Sequence, residues 1–257
     1  MNSLIDKNKT PIIFLHIPKV GGTTFESCLI KLSEENNLKF HRGMYPNIVA
    51  PLNLDENKFI KSNIDIFTGH FTFHPFIKKF RLICLLRDIS KTFMSSLYFH
   101  YFRSYLQKKL NQNIMSLIFS KEKRLYADNR DINLVEDMLK DNNFISNPFT
   151  KTFAGIGFDK LFYTKNDYKI SINDFNKAKK NIDFFDLIGF IENFDSFLKN
   201  FNEIFGFQIK NYEIKNTSNI PEKFKKYFID KLEKKIIDYN SFDYKLVNYI
   251  KAKKLKI

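Results

Sequence analysis

The chain has 257 residues and a formal net charge of +14, with 42 lysines and arginines against 28 aspartates and glutamates. This is long enough to bury roughly 70 to 75% of its unfolded surface in one core, and no repeat or linker divides it, so residues 1–257 read as a single domain. No apolar run approaches the ~18 residues of a membrane span and no leader with a cationic start and a cleavage site is seen, while Cys28 and Cys84 fall among core-facing positions rather than disulfide positions, so a cytoplasmic protein is expected.

The first element is Pro11 to Ile17, a short apolar run rich in β-formers and suited to a central strand. It leads through Lys19, Val20, Gly21 and Gly22 into a helix whose apolar positions Phe25, Cys28, Leu29 and Leu32 keep the spacing of one buried stripe. Thr23 and Glu26 match a capping box, which places the helix start at Thr23. Glycines without Cβ atoms let successive N–H groups turn toward one point, and the helix adds its own N–H groups and dipole there. This is the construction of an anion cradle, with the Lys19 ammonium in reach. The common nucleotide loop, G-x-x-x-x-G-K-[ST], carries its lysine after the glycines; here Lys19 precedes them.

Further on, Ile64 to Phe73 is a strand-like run that contains Gly69-His70. Histidine is the side chain whose ordinary pKa suits a general base near neutrality. Phe80 to Leu86 is another apolar strand, followed at once by Arg87-Asp88 and a helix that carries Ser95, Ser96, Tyr98 and Tyr101. An arginine there sits at the carboxyl end of a buried strand, where open α/β sheets place ligands, although a local ion pair with Asp88 is the plain structural alternative. Asn147 to Gly155 reads either as part of a cleft or as a helix N-terminus with proline near its start. Asp186 to Glu192 reads as a further strand leading into the helical stripe Phe194, Phe197, Leu198, Phe201 and Phe205, which reads as core. A last helix from Pro221, with Phe224, Tyr227, Phe228, Leu232 and Ile236 on one face, is expected on the outside. The order of elements predicts an α/β fold: a P-loop-like parallel sheet flanked by helices, with a helix-rich C-terminal half.

The segment H-I-P-K-x-G-G-T-T-F resembles the 5′-phosphosulfate loop of sulfotransferases that use 3′-phosphoadenosine 5′-phosphosulfate, in the branch of the heparan and chondroitin enzymes and their bacterial relatives. The resemblance implies that Lys19, Val20, Gly21, Gly22, Thr23 and Thr24 hold the phosphosulfate. It also implies that Arg87 and Ser95, at the family's eight-residue spacing, hold the 3′-phosphate, and that His70 in its Gly-His segment is the catalytic base beside Lys19. Asn147 to Gly155 is similar to a cleft segment of the bacterial relatives, and Asn211 to Ser218 to a stretch that closes over the nucleotide. The chain departs from the family pattern at Val20, where threonine is usual, at Ile89, where proline follows Arg-Asp, and at Thr68, where some relatives carry a second histidine.

The expected reaction is therefore sulfuryl transfer from 3′-phosphoadenosine 5′-phosphosulfate to the hydroxyl of an acceptor such as a glycan. No metal is expected, because no His, Cys, Asp or Glu pair has ligand spacing. His16, His41, His74 and His100 are given structural roles first, His16 as a residue that orients a loop and His74 as a turn residue that could line the acceptor cleft. Two other classes stay open: a nucleotide-dependent phosphoryl transferase, which needs its lysine after the glycines, and a basic nucleic-acid-binding domain, which explains the charge but not two phosphate motifs at strand ends. The +14 charge fits a polyanionic donor, and a composition saturated in Lys, Asn, Ile and Phe accounts for it as readily. The one basic run, Lys251 to Lys256, reads as a solvated end.

Overall fold

The first apolar run forms strand β1 (Ile12–Leu15), all four residues buried. In the computed structural model, which describes residues 11–43, 63–98, 146–156, 169–215, 220 and 222–253, this strand is the centre of a five-stranded sheet. The order is β2-β3-β1-β4-β5, with β2 (Phe40–Gly43), β3 (Ile66–Gly69), β4 (Arg81–Leu86) and β5 (Phe185–Phe190). Every pairing is parallel. The expected α/β class, with helices flanking a parallel sheet and gathered in the C-terminal half, is the fold observed.

A parallel sheet is covered on both faces by its crossover helices, and its strands are correspondingly apolar on both sides. In β1 the alternation is direct. Ile12 and Phe14 pack with Phe25 and Leu29 of helix α1 (Gly22–Glu35), whereas Ile13 and Leu15 enter the opposite core. Helix α2 (89–98) follows β4. Then come α3 (Pro148–Ala154), α4 (Ile172–Ile182) and α5 (Phe194–Phe205), whose Phe194, Phe197, Leu198, Phe201 and Phe205 are all buried as the stripe predicts. The strand before α5 is broken by a bulge. Leu82 pairs with Phe185 but Ile83 with Leu187, and the extra residue, Asp186, turns its carboxylate to the Leu82 N–H at 2.9 Å and to Arg81 Nε at 2.7 Å.

The C-terminal helices are α6 (Glu222–Tyr227), α7 (Glu233–Tyr239) and α8 (Ser241–Ala252), with a π-helical segment at Phe228–Leu232 between the first two. The single helix expected on the outside is thus interrupted, while the apolar residues read onto one face do gather on one side, with Phe224 and Tyr227 packed against the buried ones. Phe228, Leu232 and Ile236 are buried in a third cluster with Phe93 and Leu97 of α2. α8 is tied to α3 by Asp243, which accepts from the backbone N–H groups of Phe149 and Thr150 and from the Thr150 hydroxyl at 2.7 to 2.9 Å. Burial pushes this carboxyl up to about 6.

Strand order decides where a ligand can lie. β1 hands the chain through α1 toward the β2 edge, whereas β4 hands it on toward β5. The direction of winding reverses between β1 and β4, and open α/β sheets bind ligands in the crevice outside the carboxyl ends of the strands at such a reversal. The Lys19 loop follows β1 and Arg87 follows β4.

Phe25 is fully buried and sits edge-on to Phe14, Phe197 and Phe201 at centroid distances of 4.9, 4.8 and 5.3 Å. Phe25→Ala should therefore lower unfolding free energy by about 3 to 5 kcal/mol, and Phe25→Leu by markedly less, as read from urea denaturation midpoints of the two variants.

Candidate functional site

Beyond β1 the backbone turns sharply. Lys19 adopts φ 70° and Gly21 φ 85°, so two left-handed residues flank Val20 and the intervening N–H groups are folded into a concave turn of the kind that receives anions. A lysine at positive φ is strained, and the loop is held in that shape by its neighbours. Val20 is fully buried in the main core, which assigns its side chain to anchoring and leaves its backbone for the turn. A Cβ on Gly21 would lie 3.0 Å from Ile191, and one on Gly22 only 2.3 Å from the His16 ring. The two glycines are thus required for different reasons, one by φ and the other by the closeness of an imidazole.

The capping box expected at Thr23 and Glu26 is not formed. α1 begins at Gly22 with Gly21 as its N-cap, and no side chain caps it. The left-handed Gly21 starts the helix early, so Thr23 is already within the first turn and its carbonyl accepts from the Ser27 hydroxyl at 3.0 Å. Glu26 instead turns into the protein. Its carboxylate, only 3% exposed, pairs with Arg42 of β2 at 2.9 Å and accepts from the Thr68 hydroxyl of β3 at 3.3 Å. Thr24 is buried, and its hydroxyl accepts from the Lys215 N–H at 3.1 Å, which docks the 211–215 part of the expected closing stretch onto α1; residues 216–218 lie outside the described ones.

The second motif meets the first. Arg87 donates from Nη1 to the Lys19 carbonyl at 3.3 Å, which bridges the ends of β4 and β1. Asp88 is not spent on Arg87. Its carboxylate accepts from the Lys91 N–H at 3.0 Å and caps α2, while its own N–H donates to Glu192 at 3.1 Å. Ile89, in the place of proline, starts the helix by burial in the main core. Ser95 is buried on α2; at i+7 from Asp88 and i+4 from Lys91 it lies on the ridge that begins at the strand end. No hydrogen bond joins Ser95 to Arg87 among the described residues.

His70 follows β3 directly and is half-buried. Its Nδ1 lies 2.6 Å from the His16 carbonyl oxygen. A carbonyl only accepts, so Nδ1 carries the hydrogen and Nε2 of the neutral ring keeps its lone pair. Burial lowers the His70 pKa, the hydrogen bond to His16 opposes this, and the charges of Arg42 and Lys19 lower it further. The unprotonated ring is the stable form at neutral pH. The rings of His16 and His70 touch, with centroids 4.4 Å apart, and His16 stacks on Phe14 at 5.2 Å. Burial, then the charges of His70 and Arg42, hold His16 well below the ordinary histidine range.

Sequence reasoning missed this histidine pair together with Glu26 and Arg42. The signal was the register: Leu15 pairs with Gly69 and Arg42 with Thr68, so His16 and His70 are the next residues on adjacent strands. The remaining candidates make local structural contacts. His74 caps the 3₁₀ turn Pro75–Lys79, accepting from the Phe76 N–H at 3.4 Å, and His41 stacks on Phe67. His100 and Tyr101 lie outside the described residues. Asn147 to Gly155 forms α3 with Pro148 at its start, and Asn147 accepts from the N–H groups of Phe242 and Asp243. Cys28 and Cys84 are buried free thiols. Among the described residues there is no cluster of three metal-ligating side chains and no helix long and apolar enough to cross a membrane. Comparison of the chain with protein-family models and with curated proteins finds no match.

Because His16 is buried as the neutral ring, the unfolded chain binds its proton first as pH falls below about 6.5. Stability should then decline by roughly 1.4 kcal/mol per pH unit on its account, whereas Asp243, with its raised pKa, works in the opposite sense below about 6. The His16 part is isolated by difference: the stability gap between the native protein and His16→Gln should be constant above pH 7 and narrow steadily from pH 6.5 to 5. Urea denaturation of both proteins across that range measures it.

Proposed function

We infer that this chain is a sulfotransferase that moves a sulfuryl group from 3′-phosphoadenosine 5′-phosphosulfate to an acceptor hydroxyl, with carbohydrate as the acceptor class. One observation carries the reading: the Arg87 guanidinium donates to the Lys19 carbonyl at 3.3 Å, so the segments suited to the two phosphate ends of this donor meet in one crevice. A single glycine turn would answer only the 5′ end. The backbone fits an anion there, since left-handed Lys19 and Gly21 fold the turn and no side chain caps the helix behind it.

In sulfuryl transfer the acceptor oxygen bonds to sulfur as the bond from sulfur to the 5′-phosphate oxygen breaks, so charge collects on the leaving phosphate and a proton must leave the acceptor. The Lys19 ammonium, the turn amides of residues 20 to 24 and the α1 dipole meet the growing charge. His70, neutral and with Nδ1 tied to the His16 carbonyl, takes the proton at Nε2. Arg87 and Ser95 serve the 3′-phosphate, the first through a guanidinium matched to phosphate oxygens and the second through a hydroxyl further along α2. Incubation with radiolabelled donor and a panel of glycans, lipids and peptides tests the assignment; label on no acceptor and no hydrolysis of the donor would remove it.

Two consequences are measurable. 3′-Phosphoadenosine 5′-phosphate should bind at least tenfold more tightly than adenosine 5′-monophosphate, because charge-assisted bonds to phosphate are worth roughly 1.5 to 3 kcal/mol each; isothermal titration of both nucleotides checks this, and equal affinities would exclude Arg87 as a 3′-phosphate ligand. His70→Ala should lose on the order of 10²- to 10⁴-fold in single-turnover rate while binding the bisphosphate nearly as before. A folded variant with near-normal turnover would take the base assignment away from His70.

A further inference from the structure

The face of the sheet covered by α1 carries a polar cluster that the transfer chemistry does not itself call for. Arg42 and Thr68 are register partners on β2 and β3, so their side chains stand side by side. Both reach the Glu26 carboxylate on α1, Arg42 Nη2 at 2.9 Å and Thr68 Oγ1 at 3.3 Å. Glu26 is almost fully enclosed while Arg42 is about half exposed at the strand end. An enclosed carboxylate needs a partner, and the only charged side chain paired with it among the described residues is Arg42. His70 stands two residues beyond Thr68 and touches His16, which stands two residues beyond Phe14.

We propose that Arg42 is a positioning residue of the histidine site: through Glu26 and Thr68 it locks β2, β3 and α1 into one block that holds His70 against the His16 carbonyl and beside the Lys19 loop. This rests on the functional reading for its meaning in catalysis but not for its physics. The groups that face His70 are the His16 carbonyl and ring from β1, Lys19 from the loop, and Arg42 from β2 with Glu26 of α1 behind it. Arg42 and Lys19 are cations that disfavour a second positive charge on the imidazole, and Arg42 acts in the same sense on His16. Arg42 therefore both aligns the ring and helps keep it unprotonated.

The double variant Arg42→Gln/Glu26→Gln removes the pair without stranding a buried charge, and Arg42→Lys keeps the charge while losing the planar fork. The His70 titration midpoint, followed by NMR of its ring proton in the whole protein, should rise in the double variant and stay near the native value in Arg42→Lys. The acid limb of the single-turnover rate should move with it, and Arg42→Lys should lose rate without a shift of that limb. An unmoved midpoint in a folded double variant overturns the proposal. A moved midpoint in a protein that transfers no sulfuryl group would uphold the role of Arg42 and remove the sulfotransferase reading instead, so the two failures are distinct.

Discussion

The close approach of the His16 imidazole to the backbone of Gly22 governs much of the site. A Cβ at residue 22 would lie 2.3 Å from that ring, so the last side chain of the β1 segment occupies the space under the first residue of α1 and sets how tightly the chain turns between them. The same ring is stacked on Phe14 and touches His70, and the carbonyl of the same residue fixes His70 through Nδ1. Loop shape, imidazole tautomer and the alignment of two strand ends thus depend on one residue that is buried and neutral.

Charge is distributed around this point with a purpose that local contacts make visible. Lys19, Arg42 and Arg87 bring three cations to the ends of β1, β2 and β4. The nearby carboxylates are spent on structure: Glu26 on Arg42 and Thr68, Asp88 on the start of α2, and Glu192 on the Asp88 amide. With Arg42 matched by Glu26, the excess of positive charge at these strand ends lies with Lys19 and Arg87, beside a helix whose first turn has no side-chain cap. Burial is the main cause of the lowered pKa of both histidines, and the nearby cations, Arg42 for both and Lys19 for His70, act in the same direction.

The helical half contributes by bracing. α2 carries Ser95, and its direction is held by Ile89 in the main core and by Phe93 and Leu97 against Phe228, Leu232 and Ile236. α3 and α8 are joined by Asp243 and Asn147 through buried hydrogen bonds to backbone N–H groups. Asn147 and Thr150 of the Asn147 to Gly155 segment are used in that joint, while Pro148 and Phe149 line a small pocket together with Pro18, Ile89 and Ser96.

Four of the five strands, the two glycines and the residues that follow those strands were legible in the sequence, because they depend on short-range properties: apolar runs, the absence of Cβ atoms and the reach of a side chain from a strand end; the edge strand β2, only partly buried and carrying His41 and Arg42, has no apolar run and was not. Lys19, His70 and Arg87 were legible in this way, and their convergence follows from any parallel sheet that sets β1 between β3 and β4. The start of α1 was misplaced at Thr23, since a capping box is a local pattern and Glu26 found a stronger partner in Arg42, 16 positions away in the chain. The pairing of His16 with His70 and the face of the last helix turned onto α2 were equally out of reach. These were settled by long-range contacts, because each depends on strand register or on which buried charge meets which counter-charge, and neither is encoded within a window of neighbouring residues.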